Sequence, residues 1–137
     1  MISLTTTDAR RAALARAEQF FAARGWQPFD FQRQAWEAYL AGWGGLVHAV
    51  TGAGKTLAVW LGPLIEALAE GQASAGSRPS RAEAPLLRVL WVTPLRALAA
   101  DTEQALREPV EALGLPWTLE RRTGDTSSSL RTKQKAR

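Results

Sequence analysis

The chain has 137 residues, 46% of them apolar, with six tryptophans and no cysteine. This is enough for one domain with a core, and it excludes disorder for the body of the chain, disulfides and thiolate metal sites. The formal charge of +4 is unevenly placed: residues 1–120 carry 11 basic and 12 acidic side chains, while residues 121–137 carry six basic groups against Asp125 alone. A basic segment of this kind suits a polyanion partner or a solvated helix start.

Taken in order, the first stretch has no uncharged apolar run of signal-peptide length, and nowhere does the sequence approach a membrane span. A cytoplasmic protein without membrane contact is the expectation. Thr7 or Asp8 can cap a first helix to about residue 23, with Leu14, Ala17, Phe20 and Phe21 near one face and Gly25 ending it. Pro28 keeps the next segment extended, and Asp30 is placed to cap a second helix over residues 31–41.

Residues 46–50, Leu-Val-His-Ala-Val, read as a buried strand, with His48 as a packed core histidine. The strand breaks into Thr51-Gly52-Ala53-Gly54-Lys55-Thr56 and resumes as an apolar helix. Strand, glycine loop, Lys-Thr and helix in that order are the parts of a phosphate-binding P-loop. Gly52 and Gly54 free the backbone to turn successive N–H groups inward. The helix start adds its dipole and unpaired donors, Lys55 adds a mobile positive charge, and Thr56 offers a hydroxyl to magnesium. Ala49 stands where a strict motif has glycine.

Gly62-Pro63 should kink the following helix, and residues 71–85, rich in Ala, Ser, Gly, Pro and Arg, read as a surface loop. Residues 86–92 form a second apolar strand, ending in Thr93-Pro94. A helix is expected from about residue 95 to 113, kinked or restarted at Pro109, and then a third strand over residues 117–122. Alternating strands and helices imply an α/β fold with a parallel sheet flanked by helices, ligands gathering at the carboxyl ends of the strands.

Four segments together carry a family resemblance: residues 29–36 (FDFQRQAW), 49–56 (AVTGAGKT), 91–98 (WVTPLRAL) and 122–126 (RTGDT). In this order they resemble the superfamily 2 helicases, most of all the Lhr-like enzymes and the ligase-associated DEXH-box group. The resemblance implies a partial RecA-like P-loop domain over residues 25–137 after an N-terminal helix in residues 1–24. It implies ATP and Mg2+ as cofactors, held by Gln32, Gly52, Ala53, Gly54, Lys55 and Thr56. Lys55 and Thr56 act as the catalytic pair, Thr56 meets the metal, and Gln32 reads adenine with Phe29 or Phe31 near the base. Thr93, Pro94 and Arg96, with Thr123, Gly124 and Thr126, would lie against the backbone of a DNA strand. DNA ligase or repair proteins are the implied partners.

An apolar strand ending in Asp-Glu-x-His, which such helicases use to hold magnesium and aim the attacking water, has no counterpart here. The chain therefore reads as an amino-terminal portion of a DNA repair helicase, lacking ATPase activity alone. A complete, non-catalytic nucleotide- or nucleic-acid-binding module is the alternative.

Overall fold

The computed structural model describes residues 6–73, 87–94, 98–124, 126–129 and 132. Among the described residues the helices are α1 (Thr6–Ala22), α2 (Asp30–Leu40), α3 (Lys55–Ala73) and α4 (Ala99–Ala112), and residues 128, 129 and 132 are helical as well. Helix α3 is the hub, with Leu61, Leu64 and Ile65 wholly buried and Trp60 and Leu68 nearly so. Helix α1 lays Ala9, Ala13 and Ala17 toward the same core. These side chains recur every four residues on one face and are small, so the two backbones can approach closely. Phe20 and Phe21 close the end of that face, and Gly25 at φ 69° turns the chain out of the helix.

Helix α2 packs against both α1 and α3. Trp36, only 1% exposed, stands 5.8 Å from the Phe21 ring of α1, and its indole N–H donates to the Leu57 carbonyl of α3 at 3.2 Å. Tyr39 explains Gly62: a Cβ there would lie 2.8 Å from the Tyr39 ring, so glycine admits the ring. Helix α3 is continuous through Pro63. Gly62 thus serves packing, a role that the reading of Gly62-Pro63 as a kink did not include.

The Tyr39 hydroxyl donates to Glu66 at 3.0 Å. Burial first, then this bond and the charges of Glu66 and Glu70, raise its pKa above the ordinary value. The neutral phenol is thereby favoured in the folded state. Its stabilising contribution is complete below pH ~10 and lost as pH climbs through the higher folded-state value. Tyr39 is the only tyrosine in the chain. Tyrosinate absorbance should therefore titrate at higher pH in the folded than in the denatured protein, and Tyr39→Phe should flatten the alkaline fall in stability.

Helix α4 is held by Trp60, whose indole N–H donates to the Leu106 carbonyl at 2.9 Å inside the core. Pro109 lies buried within α4, which continues past it rather than restarting. Arg24 ties the end of α1 to α4. It bonds Glu108 at 2.6 and 2.9 Å, bonds the Phe20 carbonyl at 3.0 Å, and lies 3.8 Å over the Phe20 ring.

The expected sheet is not formed among the described residues. Residues 44–50, 87–93 and 115–122 lie outside the helices and carry no strand assignment. Their burial nevertheless alternates: Val47, Ala49, Val89, Trp91, Leu115, Trp117 and Leu119 are half-buried, while Leu46, Val50, Leu87, Leu90 and Val92 are 76–91% exposed. A period of two marks one face set against the helices and one turned away, as in a strand. What is lacking is the ladder, because a strand is defined by a partner. His48 falls on the exposed face, which corrects its reading as a core histidine. The second helix also starts differently from expectation: Asp30 is its first residue, and Phe29 occupies the cap position. The expected loop falls largely on residues 74–86, outside the described residues.

Candidate phosphate-binding loop

Residues 50–58 form a tight turn leading into α3. The Ala53 N–H donates to the Val50 carbonyl at 3.2 Å, and Gly52 and Gly54 take φ values of 83° and 82°. Only glycine accepts such φ values without strain, so the sequence spacing of the two glycines sets the turn. The first helical bond of α3 runs from the Ala58 N–H to the Gly54 carbonyl at 3.0 Å. The N–H groups of Lys55, Thr56 and Leu57 therefore begin the helix without a backbone acceptor among the described residues. Aligned donors with the positive end of a helix dipole behind them favour an anion.

Lys55 folds back over this turn. Its ammonium donates to the Ala49 carbonyl at 2.6 Å and the Val50 carbonyl at 2.8 Å, keeping the charge at the loop. Thr56 is half-buried beside it. The donor set suits the phosphate tail of a nucleotide. Thr56 would supply a single hydroxyl to Mg2+, an ion that keeps waters and phosphate oxygens as its other ligands. Among the described residues no cluster of three or more His, Cys, Asp or Glu offers an all-protein metal cage.

Gln32 lies against the loop, as the sequence suggested, but in an unexpected state. It is 1% exposed and both ends of its amide are engaged. Its oxygen accepts from the Phe29 N–H at 2.8 Å, and its nitrogen donates to the Gly54 carbonyl at 3.0 Å. One N–H and one lone pair of the amide are left after these two bonds. Phe29 and Phe31 stack at 5.9 Å with planes 14° apart, and Phe29 is 59% exposed. The Gln32–Gly54 bond escaped sequence reasoning. Its one sequence signal is a glutamine at the third helical position, where a side chain reaches back to the preceding backbone.

The structure brings Gln32, Gly52, Ala53, Gly54, Lys55 and Thr56 into one neighbourhood. The second group is on other segments. Thr93 and Pro94 follow Trp91, whose indole meets Trp60 edge-on at 6.0 Å. Thr123 and Thr126 close a turn around Gly124: the Thr123 N–H donates to the Thr126 hydroxyl at 2.8 Å, and the Thr126 N–H to the Thr123 carbonyl at 3.2 Å. Arg96 lies outside the described residues.

A glycine-turned loop feeding a helix through Lys-Thr defines the class of P-loop proteins. The DEAD/DEAH box helicase family model matches residues 29–136, and the chain belongs to that family. It is similar to the Lhr helicase/probable uracil glycosylase of Mycolicibacterium smegmatis, with 37% identity over 132 residues, 89% of this chain and 8% of that protein. It is also similar to the Lhr helicase/uracil glycosylase of Escherichia coli, at 32% identity over 105 residues, covering 77% of this chain and 6% of the relative. The chain thus spans less than a tenth of either relative. No solved structure matches it. The family implies a RecA-like fold. Among the described residues no helix is long and apolar enough to cross a membrane.

Proposed function

We propose that this chain is the nucleotide-binding portion of an Lhr-like helicase motor, taking ATP with Mg2+ at the loop 51–56. The observation that carries this reading is the loop itself: two left-handed glycines, three N–H groups at the start of α3 with no backbone acceptor among the described residues, and the Lys55 ammonium held on the Ala49 and Val50 carbonyls. Lys55 and the helix start bind the phosphates, Thr56 presents its hydroxyl to the metal, and the Phe29–Phe31 face offers a stacking surface for the base. When bound, ATP supplies the hydrolysis energy for translocation.

Thr93, Pro94 and Arg96, with Thr123, Gly124 and Thr126, are assigned to the backbone of a DNA strand. Hydroxyl and N–H contacts of this kind hold phosphates without reading sequence. The segments 44–50, 87–93 and 115–122 become strands of a RecA-like sheet. The alternation of burial along each supports this, because it already sets one side chain in two against the helices. DNA repair, with DNA ligase or another repair protein as partner, is the setting that the family likeness favours.

Titration of the chain with a fluorescent ATP analogue and Mg2+ tests the reading. Saturable binding is expected, weakened ~100-fold by Lys55→Ala, because a charge-assisted phosphate contact is lost. No turnover should accompany it, since nothing in the chain corresponds to the acidic strand end that aims water. Equal binding by wild type and Lys55→Ala, or steady hydrolysis that disappears in the variant, would contradict the proposal.

A further inference from the structure

We propose that Glu103 is a positioning residue for the strand-binding side of the molecule. It staples residues 119–121 to α4, and so sets the Thr123–Thr126 turn beside the start of that helix, near Thr93 and Pro94. This rests on the reading of those two segments as contacts for a nucleic-acid backbone.

Glu103 lies one turn into α4 and meets two arginines, one at each carboxylate oxygen. Its Oε1 accepts from Arg107 at 2.6 Å, and its Oε2 stands 3.6 Å from the Arg121 Nε. Arg107 also donates to the Leu119 carbonyl at 3.3 Å, so the returning segment is held by backbone and side chain together. At 28% exposure Glu103 is more sheltered than the carboxylates of the Asp8, Glu18, Glu70 and Glu108 pairs, and solvent screens it least.

The spacing of these contacts fixes a register. From Leu119 to Arg121 the extended chain advances about 6.6 Å. From Arg107 back to Glu103 the helix advances about 6 Å. The segment therefore runs antiparallel to α4 and in step with it. Two further residues bring Thr123 opposite Ala99, the first residue of α4, and Thr93 and Pro94 precede that point by a few residues. Trp91 and Trp117, one on each segment, both meet Trp60 edge-on at 6.0 and 6.1 Å, so the segments already share one support. The bonds between Thr123 and Thr126 give the turn its shape but not its place. Its place comes from Glu103.

The sign of one substitution separates this role from simple electrostatics. An acidic side chain near a phosphate-binding surface repels the ligand, and removing it ordinarily tightens binding. The staple predicts the reverse. Binding of a fluorescent oligothymidylate, binding of a fluorescent ATP analogue with Mg2+, and amide hydrogen exchange are measured on the whole chain. Glu103→Leu keeps a helix-favouring side chain and releases both arginines. Affinity for the oligothymidylate should fall about tenfold, although the chain has lost a negative charge. The Thr126 amide should exchange faster, while nucleotide affinity and exchange at Leu64 and Ile65, deep in α3, stay as in wild type. The chain has no cysteine, so Glu103→Cys with Arg121→Cys can be joined by a short bismaleimide. The joined protein should bind the oligothymidylate more tightly than the same protein with both thiols capped.

Unchanged or tighter binding in Glu103→Leu would reduce Glu103 to a solvated surface pair and overturn the inference. So would a cross-link that restores nothing. If wild type bound no oligothymidylate while the Thr126 amide still responded, the staple would stand and the strand-contact reading would fall.

Discussion

Alanine at position 54 should abolish triphosphate binding while leaving the helical body folded. Gly54 has φ 82°, where a side chain costs roughly 1–2 kcal/mol. In addition, a Cβ there would lie 2.6 Å from the Gln32 amide nitrogen. That nitrogen cannot withdraw without giving up the Gly54 carbonyl. The loop and its bond to Gln32 therefore fail together, and nucleotide affinity should fall more than ~100-fold as Lys55 and the N–H groups at the start of α3 lose their common aim. Gly52→Ala is the internal control. Its φ is 83°, but a Cβ would meet nothing within 4 Å, so it carries backbone strain alone. Nucleotide titration of the two variants should rank Gly54→Ala far below Gly52→Ala, with near-wild-type helical circular dichroism in both.

The largest effect on stability is expected at Trp60. Its ring is 4% exposed, meets Trp91 and Trp117 edge-on at 6.0 and 6.1 Å, and bonds the Leu106 carbonyl. One side chain thus joins α3, α4 and two of the extended segments. Trp60→Ala opens a large cavity and orphans a buried carbonyl, at a cost of about 3–5 kcal/mol. That is a large share of the stability of a chain this short. Thermal denaturation should show loss of the cooperative transition. Trp60→Phe, which keeps a ring but not the N–H, should retain the transition at a lower midpoint.

How far the sequence foretells this molecule depends on how local the determinant is. The glycine spacing at 52 and 54 and the start of α3 at Lys55 are local, and they were legible. The first helix was legible for the same reason, through the spacing of Leu14, Ala17, Phe20 and Phe21 and the stop at Gly25, although the buried stripe of Ala9, Ala13 and Ala17 was not foreseen. The packing role of Gly62 was not legible because its reason lies across space, in the ring of Tyr39. Gln32 was located, but its hydrogen bonds to Phe29 and Gly54 were not, because they depend on how two helices meet. His48 shows the limit of the strand reading. An apolar run does not say which of its two faces is covered. The sheet expected from the alternation of strands and helices has no ladder among the described residues, since backbone pairing is a property of neighbours and not of one segment.

The bare side of two of the extended segments, 44–50 and 87–93, has a practical consequence. Leu46, Val50, Leu87, Leu90 and Val92 stand in water beside peptide groups with no ladder assigned among the described residues. Such a surface is a template for any passing β-segment, including one from a second molecule. Concentrated solutions should therefore drift toward oligomers held edge to edge, faster as ionic repulsion is screened, and dilute handling at low salt will preserve the monomer.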